Sequence, residues 1–148
     1  MPPIRYVSLA DLTPWPGAAR IHSKQQIRQI AESIRRFGFI NPIVIDEDRQ
    51  ILAGHGRVAA ARSMGLEEVP AIRVDTMSES EKRAYVITDN KLALNSGWDR
   101  RILGDELERL LAEDIHFVIG TTGFTIAETM KLIDGPAGSI KRISRMMK

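Results

Sequence analysis

Cysteine is absent from the sequence. Disulfides, thiolate catalysis and cysteine-based zinc sites are therefore excluded, and a reducing compartment is compatible with the chain. Long apolar runs are also missing: nothing approaches the ~20 residues that span a bilayer. The opening Met-Pro-Pro-Ile-Arg has no apolar stretch of the kind a secretory leader needs, so a cytoplasmic location without a membrane partner is expected. No internal repeat, low-complexity tract or Walker A pattern is present. What is there is 148 residues, 43% hydrophobic and 27% charged, the composition of an ordinary globular domain with enough chain for a core.

The net charge of +2 is unevenly spread. Residues 1–74 carry ten Lys/Arg against seven Asp/Glu, residues 75–135 carry seven against twelve, and residues 136–148 carry four basic residues and no acid. A basic front half and a basic tail can meet nucleic acid, although basic faces are often merely solvated.

The pattern of elements alternates. Tyr6-Val7-Ser8-Leu9 reads as a short strand, and Thr13-Pro14-Trp15-Pro16-Gly17 as a rigid turn with Trp15 packing. Ser23 with Gln26 fits a capping box that opens a helix. Its apolar positions Ile27, Ile30, Ala31, Ile34 and Phe37 form one stripe expected to cover a sheet, and Gly38 is expected to stop it. Phe39–Ile45 and Gln50–Ala53 read as a hairpin around the polar turn Asp46-Glu47-Asp48-Arg49. A short helix from Arg57 to about Gly65 and a strand Val69–Val74 follow. Ser78 with Glu81 caps a helix toward Leu94, with Ala84, Ile87 and Leu92 among its apolar positions. Asp99 caps a helix through Ile102, Leu103, Leu107, Leu110 and Leu111. Ile115–Ile119 reads as a strand or buried connector, and Thr125 with Glu128 caps a last helix to about Ile133. Gly135–Ser139 reads as a linker to a basic tail.

The chemistry concentrates at Ala53-Gly54-His55-Gly56-Arg57. An apolar run, two glycines and a helix start place free backbone N–H groups beside a fixed cation, a corner that suits a phosphate. A tight turn without a ligand satisfies the same letters. Gly54, Gly56 and Ala59, with Asp75 further on, also match the dinucleotide fingerprint G-x-G-x-x-A. The short helix, the short unit and the hairpin-paired strand before it count against that assignment. His22, His55 and His116 lack ligand spacing and read as core or surface histidines.

Arg20, Ala31-Glu32-Ser33-Ile34, Gly38 to Val44, Ala53 to Arg57 and Leu66 to Pro70 together resemble the ParB/sulfiredoxin superfamily, over roughly residues 5–95. Ile87 to Asp99 and Thr122-Gly123-Phe124 resemble the ParB-like N-terminal (ParB-like nuclease) domains found ahead of DNA-modification methyltransferases in phages and bacteria. The resemblance implies an α+β fold, with a small mixed sheet and packed helices followed by a helical C-terminal extension. It implies a domain over 1–97, the extension over 98–134 and a basic tail over 135–148.

It further implies a phosphate corner that takes a nucleoside triphosphate, ATP or CTP, with Mg²⁺. By the resemblance, Gly54, His55, Gly56, Arg57, Arg20 and Asn90 hold the nucleotide, and Asp89 and Asn90 hold the metal. Chromosome-partition members carry Gly-Glu-Arg-Arg at the corner; here His55 and Gly56 replace the Glu and the first Arg. Their Glu-Asn pair with a following Arg becomes Asp89-Asn90 without that Arg. Sulfiredoxin carries cysteine where His55 stands, so reductase chemistry is lost. The function expected is a nucleotide-binding domain of a DNA-associated or DNA-modification system, with DNA, a methyltransferase or a second copy of the chain as partners. The alternatives are an enzyme (a nuclease, NTPase or small-molecule kinase), with His55 and Glu32 as catalytic candidates, or a structural adaptor whose corner is vestigial.

Overall fold

The computed structural model describes residues 2–18, 20–114 and 122–134. The chain divides into two compact units, residues 1–96 and 97–148. Ile115–Ile119, His116, the linker and the basic tail fall outside the described residues.

In the first unit, strand β1 (Ile4–Ser8) runs into a single 3₁₀ turn (Leu9–Asp11) and then β2 (Thr13–Pro14). Helix α1 (Lys24–Phe37), β3 (Ile43–Ile45), β4 (Gln50–Ala53), α2 (His55–Ser63), β5 (Glu68–Arg73) and α3 (Glu79–Asn95) follow. The five strands form one mixed sheet in the order β1-β5-β3-β4-β2. β1 pairs antiparallel with β5, β5 parallel with β3, β3 antiparallel with β4, and β4 parallel with β2. The fold is α+β, as expected.

Alternation along the strands sends two different sets of side chains to the two faces. Ile43, Ile45, Ile51, Val69 and Ala71 form the main core with Val58 and Ala61 of α2 and with Leu9 and Leu12. Leu52 packs with Trp15 and with Val86 of α3, beside Val44 and Tyr85. Trp15 is buried, as its place between two prolines suggests.

Several local expectations change. The Thr13-Pro14 turn is also a two-residue strand, paired with Gln50 and Ile51. The strand read over Phe39–Ile45 shrinks to Ile43–Ile45, because Pro42 has no N–H to give a ladder. Helix α1 packs on α2 rather than on the sheet. Only Ala31 of its stripe is fully buried, and Phe37 is 54% exposed. Ser23 Oγ accepts from the Gln26 N–H, but the Gln26 side chain turns to His22, so half of the capping box forms.

Helix α3 departs most from its letters. Its Ser78–Glu81 capping box forms in full. Its buried residues, however, are Lys82 and Val86, while Ala84, Ile87 and Leu92 lie exposed. The Lys82 side chain is 1% exposed and its Nζ donates to Asp46 Oδ2 at 3.1 Å, Glu47 Oε1 at 2.6 Å and Glu79 Oε1 at 3.4 Å. Asp46 Oδ1 in turn accepts from the N–H groups of Asp48 and Gln50, closing the β3–β4 turn. The hydrogen bond to Glu47, strengthened by the Asp46 carboxylate and opposed by burial, holds the Lys82 ammonium above its ordinary range. This buried cluster fastens the start of α3 to the turn that leads into β4.

The second unit holds α4 (Arg100–Glu113) and α5 (Ile126–Asp134). Asp99 caps α4 by accepting from the Ile102 N–H, and Thr125 and Glu128 form the reciprocal bonds of a capping box on α5. Leu107 and Leu111 form its core with Leu103, Leu110, Phe124 and Met130, while Ile102 is exposed. Trp98 meets Phe124 edge-on at 5.7 Å.

Candidate functional site

Gly54 ends β4 and caps α2 with φ of +101°, a left-handed conformation that glycine adopts without strain. The helix therefore starts at His55, two residues earlier than Arg57. This changes the reason for both glycines. A Cβ on Gly54 would lie 2.7 Å from Ile43 Cγ2 and 3.1 Å from Arg57 Nη2. A Cβ on Gly56 would lie 3.0 Å from both His22 Cε1 and Ile30 Cδ1. The glycines let α2 press against β3, α1 and His22, and so hold the helix N-terminus at the floor of a cavity of about 260 Å³.

That cavity collects residues far apart in the chain. Arg20, Gly54, His55, Gly56, Arg57, Asp89 and Asn90 all line it, and so do His22 and Gln26. Glu32 does not: it sits exposed on α1 and pairs with Arg35 one turn away.

Arg57 Nη2 donates to the Pro42 carbonyl at 3.1 Å, which fixes the guanidinium, while its buried Nε–H has no hydrogen-bond partner. Buried donors are nearly always satisfied, so an orphan on a residue that lines the cavity stands out. Burial pulls the Arg57 guanidinium down from its ordinary value, and the Asp89 carboxylate on α3 opposes that pull. Burial also raises the Tyr85 phenol, with Asp89 adding to the rise.

His55 Nε2 accepts from the Trp15 backbone N–H at 3.3 Å, tying the Thr13–Gly17 segment to the start of α2. Burial, and then the charge of His22, lowers the His55 imidazole below its ordinary value. His22 Nδ1 lies 3.2 Å from Gln26 Oε1. Asn90 Nδ2 donates to the Val86 carbonyl at 2.8 Å, which uses its donor end and leaves its side-chain oxygen as an acceptor. Asp89 and Asn90 thus line the same cavity as the first residues of α2 and the Arg57 and Arg20 side chains. This donor set suits a phosphate chain neutralised on one side by the protein and on the other by a hard cation.

From sequence, His22 reads only as a core or surface histidine and Gln26 only as a capping residue, yet both line the cavity, whereas Tyr85 is not among its lining residues. His22 follows Arg20 by two residues, which is the available signal.

A profile of the ParB N-terminal domain matches residues 3–91. The chain belongs to the ParB N-terminal domain family. Among ParB-like relatives, the ParB-like nuclease domain-containing protein YnaK of Escherichia coli K12 is 42% identical over 80 residues, covering 54% of this chain and 92% of that one. The chromosome-partitioning protein Spo0J of Thermus thermophilus is 27% identical over 143 residues, 93% of this chain but 53% of Spo0J. The chain thus spans nearly all of YnaK and about half of Spo0J. A C-terminally truncated ParB of Caulobacter crescentus complexed with CTP-γ-S superposes with a TM-score of 0.69 over 99% of both chains, at 17% identity, a likeness of fold. The corresponding ParB complexed to the centromeric parS site superposes with a TM-score of 0.51 over 97% of this chain and 70% of that one, again at 17% identity.

Proposed function

We propose that the cavity beside Gly54 binds a nucleoside triphosphate with Mg²⁺, CTP ahead of ATP, and that binding serves a DNA-associated system. The observation that carries this reading is the unpartnered, buried Arg57 Nε–H beside the α2 N-terminus in a cavity that also gathers Arg20, Asp89 and Asn90. Arg57, Arg20 and the first N–H groups of α2 would take the phosphate oxygens. Asp89 and Asn90 would hold Mg²⁺, with water completing its shell. When bound, the metal neutralises phosphate charge. The cytidine preference is supported by the CTP-γ-S carried by the similar Caulobacter ParB.

The arrangement favours binding over turnover. Glu32 lies outside the cavity, and His55 Nε2 already accepts from Trp15. Neither catalytic candidate is therefore poised as a base. DNA association rests on the basic front half and tail, and a methyltransferase partner or a homodimer only on the resemblance read from the sequence.

Thermal shift with CTP and ATP, each with Mg²⁺ or with EDTA, tests this. The expected result is a rise in Tm with CTP that depends on Mg²⁺ and exceeds that with ATP. No rise at millimolar nucleotide under any condition would refute it.

A further inference from the structure

A second cavity, about 430 Å³ in volume, lies at the β1–β5 end of the sheet and shares no lining residue with the first. Its floor is apolar: Val7, Ile45 and Ala71. Three guanidiniums from three elements surround it, Arg5 on β1, Arg49 in the β3–β4 turn and Arg73 on β5. Strand register explains why two of them meet. Arg5 pairs with Ala71, and Arg73 lies two residues further along β5 on the same face, so they are diagonal cross-strand neighbours.

Like charges on neighbouring strands repel weakly when diagonal and exposed, and these two have little to offset them. Arg5 makes no side-chain hydrogen bond or ion pair among the described residues. Among the described residues, Arg73 reaches only the Glu47 carbonyl, at 3.5 Å. Of the three, Arg49 alone has a carboxylate partner among the described residues, Asp11 at 3.0 Å. Asp75 and Thr76 stand at the wall of the same cavity. Charged residues on an edge strand also deter edge-to-edge pairing. That role does not call for a cavity, an apolar floor or a second arginine on the neighbouring strand.

We propose that this cavity is a second nucleotide site, independent of the reading given for the first. The phosphate is held by the forked donors of Arg5 and Arg73. The base lies over Val7, Ile45 and Ala71. Asp75 accepts from an exocyclic amine, the contact a carboxylate makes with cytosine. A free nucleotide and a nucleotide within a strand present this same chemistry.

The test is ¹⁵N–¹H NMR of the full chain titrated with CMP, with UMP, and with a short oligo-deoxycytidine. The amides of Arg5, Val7, Ala71, Arg73 and Asp75 should shift with CMP and less with UMP, which lacks the amine. A response at lower concentration with the oligonucleotide than with CMP assigns the site to a strand, and an equal response assigns it to the free nucleotide. The double variant Arg5→Gln/Arg73→Gln should bind about tenfold or more weakly, as loss of charge-assisted bonds does. The control Arg28→Gln/Arg83→Gln, which removes two exposed arginines elsewhere, should bind as wild type does. The proposal is overturned if no ligand shifts these amides, if the first double variant binds unchanged, or if the control weakens binding equally.

Discussion

Arg57 is fixed by a backbone carbonyl and keeps one buried donor without a partner, and the proposed phosphate site depends on this residue. Gly54 makes that state possible. In the variant Gly54→Ala the Cβ would sit 2.7 Å from Ile43 Cγ2 on a backbone at φ +101°. It is expected to cost about 2–4 kcal/mol, from left-handed strain plus overpacking, and urea denaturation measures it. His55 makes a second prediction. Burial lowers its imidazole below the ordinary value of about 6.5. The unfolded chain therefore binds a proton more readily than the folded one as pH falls through 6.5. The stability His55 contributes is complete above pH of about 6.5 and is lost as pH falls through its lower folded value. An NMR titration should place its midpoint below that of an exposed histidine, and His55→Phe should flatten the stability profile over that window. The glycine corner was legible because glycine, glycine and arginine constrain backbone and charge at once. The partnership of Asp46 with Lys82 was not, because four polar letters in a turn and one lysine in a helix look solvated until a core forms around them.

At the scale of elements, α1 and α3 show where periodicity misleads. The α1 stripe is genuine, but its partner is another helix, which covers less than a sheet would. Ile34→Ala is therefore expected to cost about 1–2 kcal/mol by calorimetry, below the range of a fully buried isoleucine. In α3, Ile87 and Leu92 carried the apolar signal, yet the face that docks on Leu52 and Trp15 is built from Val86 with Tyr85. Lys82 anchors the first turns of the same helix, and Asp89 and Asn90 follow on its later turns. Lys82→Met leaves Asp46 buried without its counter-ion and should lower Tm far more than Arg35→Ala, which breaks only the exposed pair with Glu32. In the second unit, a Cβ on Gly104 would come within 2.3 Å of the Leu132 carbonyl oxygen, so α4 and α5 cross at a glycine that periodicity alone passes over. Gly104→Ala should cost about 1–3 kcal/mol in that unit, read as a lower urea midpoint. The capping boxes at Ser78 and Thr125 were legible because their bonds are local in sequence.

For the whole molecule, family membership rests on residues 3–91, and these residues contain every lining residue of the proposed nucleotide cavity except Ala93. Spacing alone could not bring Arg20, Gly54 and Asp89 into one cavity; order within a known family could. The molecule's charge, positive at both ends of the chain and negative between, predicts DNA binding that is weak, tolerant of sequence and steeply weakened by salt. Fluorescence anisotropy over a salt series checks this, and removal of residues 136–148 should flatten the salt slope. The account turns most directly on calorimetric titration of CTP with Mg²⁺ into wild type and Arg57→Ala, with circular dichroism confirming that both fold. The expected result is binding by wild type and a loss of about 1.5–3 kcal/mol in the variant, the worth of charge-assisted phosphate contacts. Equal affinity in the two proteins, or no heat from wild type at millimolar nucleotide, would contradict it.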